Sequence, residues 1–284
     1  MLKLKQLDLN WAIHAQLPPL DFVLPGLLPG ALGLLVAPGG TGKSFLAIDS
    51  AVSIALGRPI AGGLFAAGKP AKVVYLAGEE SDRLLAERLR CSLNLAEIGS
   101  DRLSNLILLP MSGEDSRLIN SGKVTELFNE LQALATGARL IILDPMRRLH
   151  DGDENNSADM TRMVVALENL GKQTGAAILG LHHANRASSD MSSQHASRGS
   201  SALVDGARWQ INLSRMDEKS AESLSIPETE RYQYLALDFA KSNYLPPRPR
   251  SWLKRQPGGA FQLVDFTQSR QKPKGRTVAG ARLI

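Results

Sequence analysis

The run Ala37-Pro38-Gly39-Gly40-Thr41-Gly42-Lys43-Ser44 constrains this chain more than any other stretch. An apolar segment, 31–36, leads into it, and an apolar-rich segment, 45–56, follows. Strand, glycine-rich loop and helix in that order form the setting that a nucleotide-phosphate loop requires. Small residues let backbone N–H groups converge on an anion, and the following helix presents its positive end there. In such a loop Lys43 reaches the β- and γ-phosphates and the Ser44 hydroxyl ligates Mg²⁺. The expected nucleotide-binding set is Ala37, Pro38, Gly39, Gly40, Thr41, Gly42, Lys43, Ser44 and Phe45, with ATP or GTP as ligand. Ala37 stands where the first glycine of these loops is usual.

The loop fits a wider rhythm. Apolar strands are expected at 31–36, 72–77, 105–109, 139–143 and 176–181, with helices between them at 43–56, 82–95, 124–134 and 158–174. Continuous apolar strands separated by helices imply a parallel sheet covered on both faces. After residue 206 the pattern changes to short strands at 207–213, 232–239, 251–255 and 260–264, with no helix between them. Gly258-Gly259 makes a hairpin-like turn between the last two. The expected fold is α/β, with a mostly parallel central sheet, helices on both faces and a C-terminal antiparallel extension on one edge. A chain of 284 residues suits one such domain. Residues 1–30 read as an arm with a short helix at 7–16 capped by Asp8 or Asn10. Residues 31–266 read as the ATPase domain, and 267–284 as a basic tail without pattern. The apolar side chains of the arm need a covering surface, either the chain's own core or a neighbouring subunit.

Chemistry concentrates where strands end. Leu140-Ile141-Ile142-Leu143 closes on Asp144, at the carboxyl edge where α/β sheets bind ligands, placed to hold a Mg²⁺-bound water. Val73 to Gly78 closes on Glu79 and Glu80. Glu79 is the expected general base for the attacking water, from a strand neighbouring the phosphate loop. Glu80 falls to the following helix start. Ala176 to Leu181 closes on His182 and His183; His183, further out, is the expected sensor of the γ-phosphate. No cysteine or glutamate stands at metal-ligand spacing from these histidines, which argues against a zinc site. The long polar loop after His183 carries Arg186, Ser188, Ser189 and Arg198, the kinds of side chain that contact phosphate backbones. A second loop leaves the same edge after Asp144. Its Arg147 and Arg148 either face an anion or pair with Asp151, Asp153 or Glu154.

The charge balance is 33 basic to 28 acidic residues, a net +5, which is compatible with nucleic acid without requiring it. Part of the excess lies in the tail, which is either a solvated end or a phosphate-gripping arm. No apolar run reaches the roughly 20 residues needed to span a bilayer, so no membrane partner is expected. The single cysteine, Cys91, excludes an internal disulfide and reads as a packed small side chain, in keeping with a cytoplasmic setting.

Taken together, these motifs resemble the ring-shaped replicative helicases with a RecA-like core, and within them the small plasmid-encoded helicases known as RepA. The resemblance covers most of residues 20–256. It rests on the phosphate loop, on Asp144-x-x-Arg147-Arg148-x-His150, on His182-His183 and neighbours, on Ala196 to Ser201, and on Arg208-Trp209-Gln210. It implies a homohexamer with ATP sites between subunits, translocating along single-stranded DNA in a central channel, with the two polar loops facing that channel. Arg208 then resembles an arginine finger offered to the neighbouring subunit's ATP, and Lys241 a second basic group from the same neighbour. Larger members carry an arginine where this chain has Asn243. They also carry an N-terminal primase-docking domain, for which the roughly 30 residues before the first strand are too few. Primase or replication initiator proteins would therefore be separate partners. The alternative reading is a RecA-like regulatory or scaffold ATPase whose nucleotide state controls assembly without unwinding.

Overall fold

The computed structural model describes residues 6–60, 68–95, 103–184, 192–197, 199 and 201–266. Arg186, Ser188, Ser189, Arg198 and the basic tail lie outside the described residues. In chain order the elements are α1 (Leu9–His14), β1 (Leu32–Ala37), α2 (Lys43–Leu56), β2 (Val73–Ala77), α3 (Asp82–Leu95) and β3 (Leu106–Pro110). A small ribbon, β4 (Ile119–Asn120) and β5 (Lys123–Val124), precedes α4 (Glu126–Leu134), β6 (Leu140–Asp144), α5 (Ser157–Thr174) and β7 (Ala177–His183). The remainder is α6 (Ser201–Gly206), β8 (Trp209–Arg215), α7 (Glu218–Leu224), β9 (Tyr234–Ser242), β10 (Ser251–Arg255) and β11 (Phe261–Val264).

One nine-stranded sheet organises the molecule, in the order β11-β10-β9-β8-β1-β7-β6-β2-β3. The six strands from β8 to β3 run parallel. The last three are added antiparallel beyond β8. Every residue of β1, β2 and β6 is buried, which explains their unbroken apolar runs. Alternate side chains supply the two faces. Leu35, Tyr75, Ile142 and Leu179 pack with Leu46, Ile48 and Val52 of α2. Leu34, Val74, Ile141 and Ile178 pack with Leu131 of α4 and Met163 and Leu167 of α5.

Local chemistry sets the helix limits. The Asn156 side chain accepts from the N–H groups of Ala158 and Asp159 at the start of α5, and Gly175 ends that helix in the left-handed region. Asp8 caps α1 as expected, but no residue of α1 is buried. Leu9, Trp11 and Ile13 point to solvent, whereas Val23, Leu24 and Leu27 join the main core.

The structure corrects two expectations. The strand after residue 206, β8, is not part of the antiparallel extension; it pairs parallel with β1 and belongs to the central sheet. A helix also interrupts the later strands. In α7, Asp217 accepts from the Ser220 N–H at 2.7 Å, and Ala221 is its one buried residue, so no apolar period announced it. No helix among the described residues is long and apolar enough to cross a membrane.

The β10–β11 hairpin curls back over α2. The Phe261 ring meets Phe45 edge-on at 6.5 Å between centroids. The Phe261 N–H donates to Oδ2 of the buried Asp49 at 3.4 Å, and the Ser92 hydroxyl donates to Oδ1 of the same carboxyl. Burial outweighs these two hydrogen bonds and pushes the Asp49 carboxyl up to about 6. Because this folded pKa lies above the unfolded value near 3.8, the associated stability is fully present below that value. It is lost as pH rises through about 6, a cost on the order of 3 kcal/mol at neutral pH. Asp49→Asn should therefore flatten the melting temperature between pH 4 and pH 7, and should raise it at pH 7.5. Thermal unfolding followed by circular dichroism across that range checks this; an unchanged pH slope would count against it.

Candidate active site

The phosphate loop leaves β1 at Ala37 and enters α2 at Lys43. Gly42 is the cap of α2, with φ +116°. A β-carbon there would meet Phe261 Cζ at 2.5 Å, so only glycine fits both the backbone and its ceiling. The buried Lys43 Nζ donates to the carbonyl oxygens of Ala37 at 3.0 Å and Pro38 at 3.3 Å. Burial holds the Lys43 ammonium below its ordinary range, and Asp144 and Glu79 oppose that shift.

Register decides which strand ends approach the loop. Ala37 pairs with His183, and Ala77 pairs with Asp144. His183 Nδ1 lies 3.4 Å from Lys43 Nζ. Burial, then the Lys43 charge, pushes the imidazole pKa down, so the ring is neutral at pH 7. With Lys43 as the donor, Nδ1 accepts and Nε2 carries the proton. His182 is buried one residue earlier, in the strand itself. Asp144 is buried too, and Tyr75 Oη donates to its Oδ2 at 2.6 Å. Burial raises the Asp144 carboxyl, while bonds from Tyr75 and Ser44 and the charge of Lys43 oppose that.

The two glutamates separate cleanly. Glu80 is buried and bonded to Arg88 of α3 at 2.6 Å, so its partner lies two turns into the helix rather than at the helix start. Burial pushes its carboxyl up, and its Oε2 has no partner among the described residues. Glu79 is half-exposed and lines a pocket of about 270 Å³ with Gly42, Lys43, Ser44, Asp144 and His183. It does not come from a strand next to the phosphate loop. Strands β7 and β6 intervene between β1 and β2. Chain order does not give sheet order, and Glu79 reaches the pocket because it lies two residues past its strand.

Arg148 Nε donates to Glu79 Oε1 at 3.1 Å. The anticipated partners of the arginine pair are engaged elsewhere: Asp151 accepts from the Ser121 N–H, and Asp153 from the Asn155 N–H. Arg147 Nη1 reaches the carbonyls of His150 at 3.4 Å and Gly152 at 3.5 Å and makes no ion pair among the described residues.

Two basic residues of the pocket carried no local signal. Arg88 sits over the Phe45 ring at 5.1 Å while it holds Glu80. Arg255, at the end of β10, donates through Nη2 to the Thr41 carbonyl at 2.8 Å and lies over Phe261. Tyr75 did carry a signal, since a phenol inside a fully buried strand must find a partner.

Arg208 and Lys241 lie at the other end of the sheet. The Arg208 N–H donates to Leu32 O, at the start of β1, and its side chain is exposed. Lys241 pairs in register with Gln210 and donates to the carbonyls of Val204 at 2.7 Å and Asp205 at 3.3 Å. Burial lowers the Lys241 ammonium; Asp205 raises it and the Arg208 charge lowers it further. The length of β1 separates this basic pair from its own phosphate loop, about 17 Å at strand rise.

The donor set fits a nucleotide with its metal. Gly39 and Gly40 have open space where a β-carbon would stand. Lys43 would exchange its two carbonyls for phosphate oxygens, and Ser44 and Asp144 stand together as the hydroxyl and carboxylate that Mg²⁺ uses. No group of three or more metal-ligating side chains exists among the described residues. This suits an ion carried mainly by phosphates and waters. Gly42→Ala should lower stability by more than about 1 kcal/mol, through the strained φ and the contact with Phe261. Gly39→Ala, with open space at its β-carbon, should change it by less than about 0.5 kcal/mol. Urea unfolding of the two variants checks the contrast.

Comparison with known proteins agrees with this fold. Structural likeness extends to the ATPase domain of G40P, at a TM-score of 0.59 and 14% identity, covering 90% of this chain and 96% of that one. It extends also to the crystal structure of the RadB recombinase, at a TM-score of 0.53 and 16% identity, covering 84% of this chain and 93% of that one. At these identities the likeness is one of fold: a RecA-like α/β core with its antiparallel edge. In sequence, the AAA domain model matches residues 1–189 of the 284. That match spans the phosphate loop, Glu79, Asp144 and His183, and with it the chain belongs to the AAA domain family.

Proposed function

We propose that this protein is an ATP-driven DNA helicase of the ring-shaped type, a homohexamer that moves along single-stranded DNA in the cytoplasm and serves replication of the small-plasmid kind. The observation that carries the reading is the position of Arg208 and Lys241. They stand at the end of the sheet opposite their own phosphate loop, Arg208 exposed and Lys241 half-buried on two carbonyls, and a second copy would be needed to bring such a pair to the phosphates.

The residues then divide the work. Lys43 steadies the β- and γ-phosphates. Glu79 orients the attacking water and takes its proton. His183, neutral and beside Lys43, exchanges its hydrogen bond as the γ-phosphate is lost. Arg208 of a neighbouring copy meets the charge that develops during transfer, and Lys241 supports it. Ser44, and Asp144 through water, would hold Mg²⁺, which would supply charge neutralisation to the phosphates. Arg147, with Arg186, Ser188, Ser189 and Arg198, contacts the DNA backbone. Primase or replication initiator proteins act as separate partners.

Lys43→Ala should lower ATP turnover by at least about 10²-fold, the scale of losing one charge-stabilising donor. Arg208→Ala should lower it by roughly 10³-fold or more while ATP binding persists. Mixing the Arg208→Ala and Glu79→Ala proteins should restore part of the activity, because some interfaces then combine two intact halves. Absence of any restoration would argue against shared sites. Single-stranded oligonucleotide should stimulate hydrolysis and a forked duplex should be unwound. A protein that does neither is the regulatory ATPase of the alternative reading.

A further inference from the structure

The pair Glu79–Arg148 stands between two hollows. On one side is the pocket of Lys43, Asp144 and Glu79. On the other, between the 111–118 segment and the turn Met146–Leu149, is a polar hollow of about 500 Å³ lined by three arginines, Arg117, Arg147 and Arg148, with Ser116 and His150 and the carboxylates of Glu114 and Asp115. Among the described residues, Arg148 borders the second hollow and bonds to Glu79 of the first.

Three observations mark the second hollow as a place for an anion. Its cations are unequally matched: Arg117 is bound to Asp115 at 2.6 Å, whereas Arg147 meets only carbonyl oxygens. His150 is 6% exposed, and its Nδ1 has no hydrogen-bond partner among the described residues. Arg148 is held by its backbone, and its exposed guanidinium meets Glu79 alone among the described residues. Its N–H donates to the Pro145 carbonyl at 3.1 Å and its carbonyl accepts from the Ser116 hydroxyl at 3.3 Å. Gly78 permits the approach, since a β-carbon there would meet Arg148 Cβ at 3.2 Å and Ser116 Oγ at 3.0 Å. The guanidinium can therefore turn between partners while its backbone stays in place.

We propose that Arg148 is a positioning residue that couples the two hollows: it restrains Glu79 until a backbone phosphate of single-stranded DNA enters beside Arg147 and draws the guanidinium away. This rests on the helicase reading given above. The bond to Arg148 occupies a lone pair of Glu79 Oε1 that a water-orienting carboxylate needs free. The side chains of Arg148 and Glu79 are 62% and 51% exposed, and an exposed ion pair of this kind is weak. A phosphodiester flanked by Arg147 and the buried imidazole can therefore displace Glu79 as the anion on Arg148. No bond breaks in this exchange; one carboxylate is released as one phosphate is bound.

The test uses the full chain and an oligothymidylate. Arg148→Ala should raise the DNA-free ATPase rate by roughly two- to five-fold, the range that the strength of an exposed pair allows. The ratio of the DNA-saturated to the DNA-free rate should shrink by a similar factor. Arg148→Lys, which keeps the charge beside Glu79, should restore the low DNA-free rate. Structural damage would lower both rates, so a gain without DNA is specific to released restraint. A DNA-free rate in Arg148→Ala equal to or below that of the unaltered protein overturns the inference. An unaltered protein whose rate ignores the oligonucleotide overturns the DNA reading instead, and the two failures are told apart within one experiment.

Discussion

A buried ammonium and a buried carboxylate share the carboxyl edge of the sheet, and the site depends on their balance. Burial pushes Lys43 and Asp144 each toward neutrality, and each charge opposes the other's shift. Neutral donors and acceptors complete the arrangement: two loop carbonyls for Lys43, and Tyr75 and Ser44 for Asp144. Removing one member would strand the other in a medium that solvates it poorly. Such groups need no reorganisation when phosphate charge arrives, which is the sense in which the pocket is preorganised.

Parallel pairing turns that balance into geometry. Because β1, β7, β6 and β2 run in one direction, their last residues come to one edge; His183 and Asp144 follow from register, and Glu79 from its place two residues past β2. The same parallelism sends Arg208 to the far edge, since it precedes β8 while the phosphate loop follows β1. A single sheet thus places the Lys43 loop with Asp144 and His183 at one end and Arg208 with Lys241 at the other.

What could be read before the structure was what lies close in the chain. The phosphate loop is eight consecutive residues, and Asp144 and His183 end apolar runs, so their placement needs only the strand to be recognised. Glu79 was set apart from Glu80 by one residue of offset from the helix start, but the structure places the partner of Glu80 elsewhere, on Arg88 two turns into α3. Sheet order was not legible. The expectation that the Glu79 strand neighbours the phosphate loop fails because α2 carries the chain past β1 to the far side of the β6 position. The parallel direction of β8 was hidden for a related reason: its run of alternating residues reads the same in either orientation. Arg88 and Arg255 were invisible because their roles arise from packing partners distant in sequence.

The hairpin that brings Arg255 to Thr41 joins positions 214 residues apart. At the roughly 5–20 residues per second of ribosomal synthesis, the loop emerges some ten to forty seconds before the strand that roofs it. During that interval a nascent chain holds a phosphate-binding loop with Gly42 and Phe45 uncovered. The roof over that loop is completed only once β10 and β11 have been made. A polypeptide cut before β10 therefore lacks one wall of the pocket, and translation itself delays the closing of that wall.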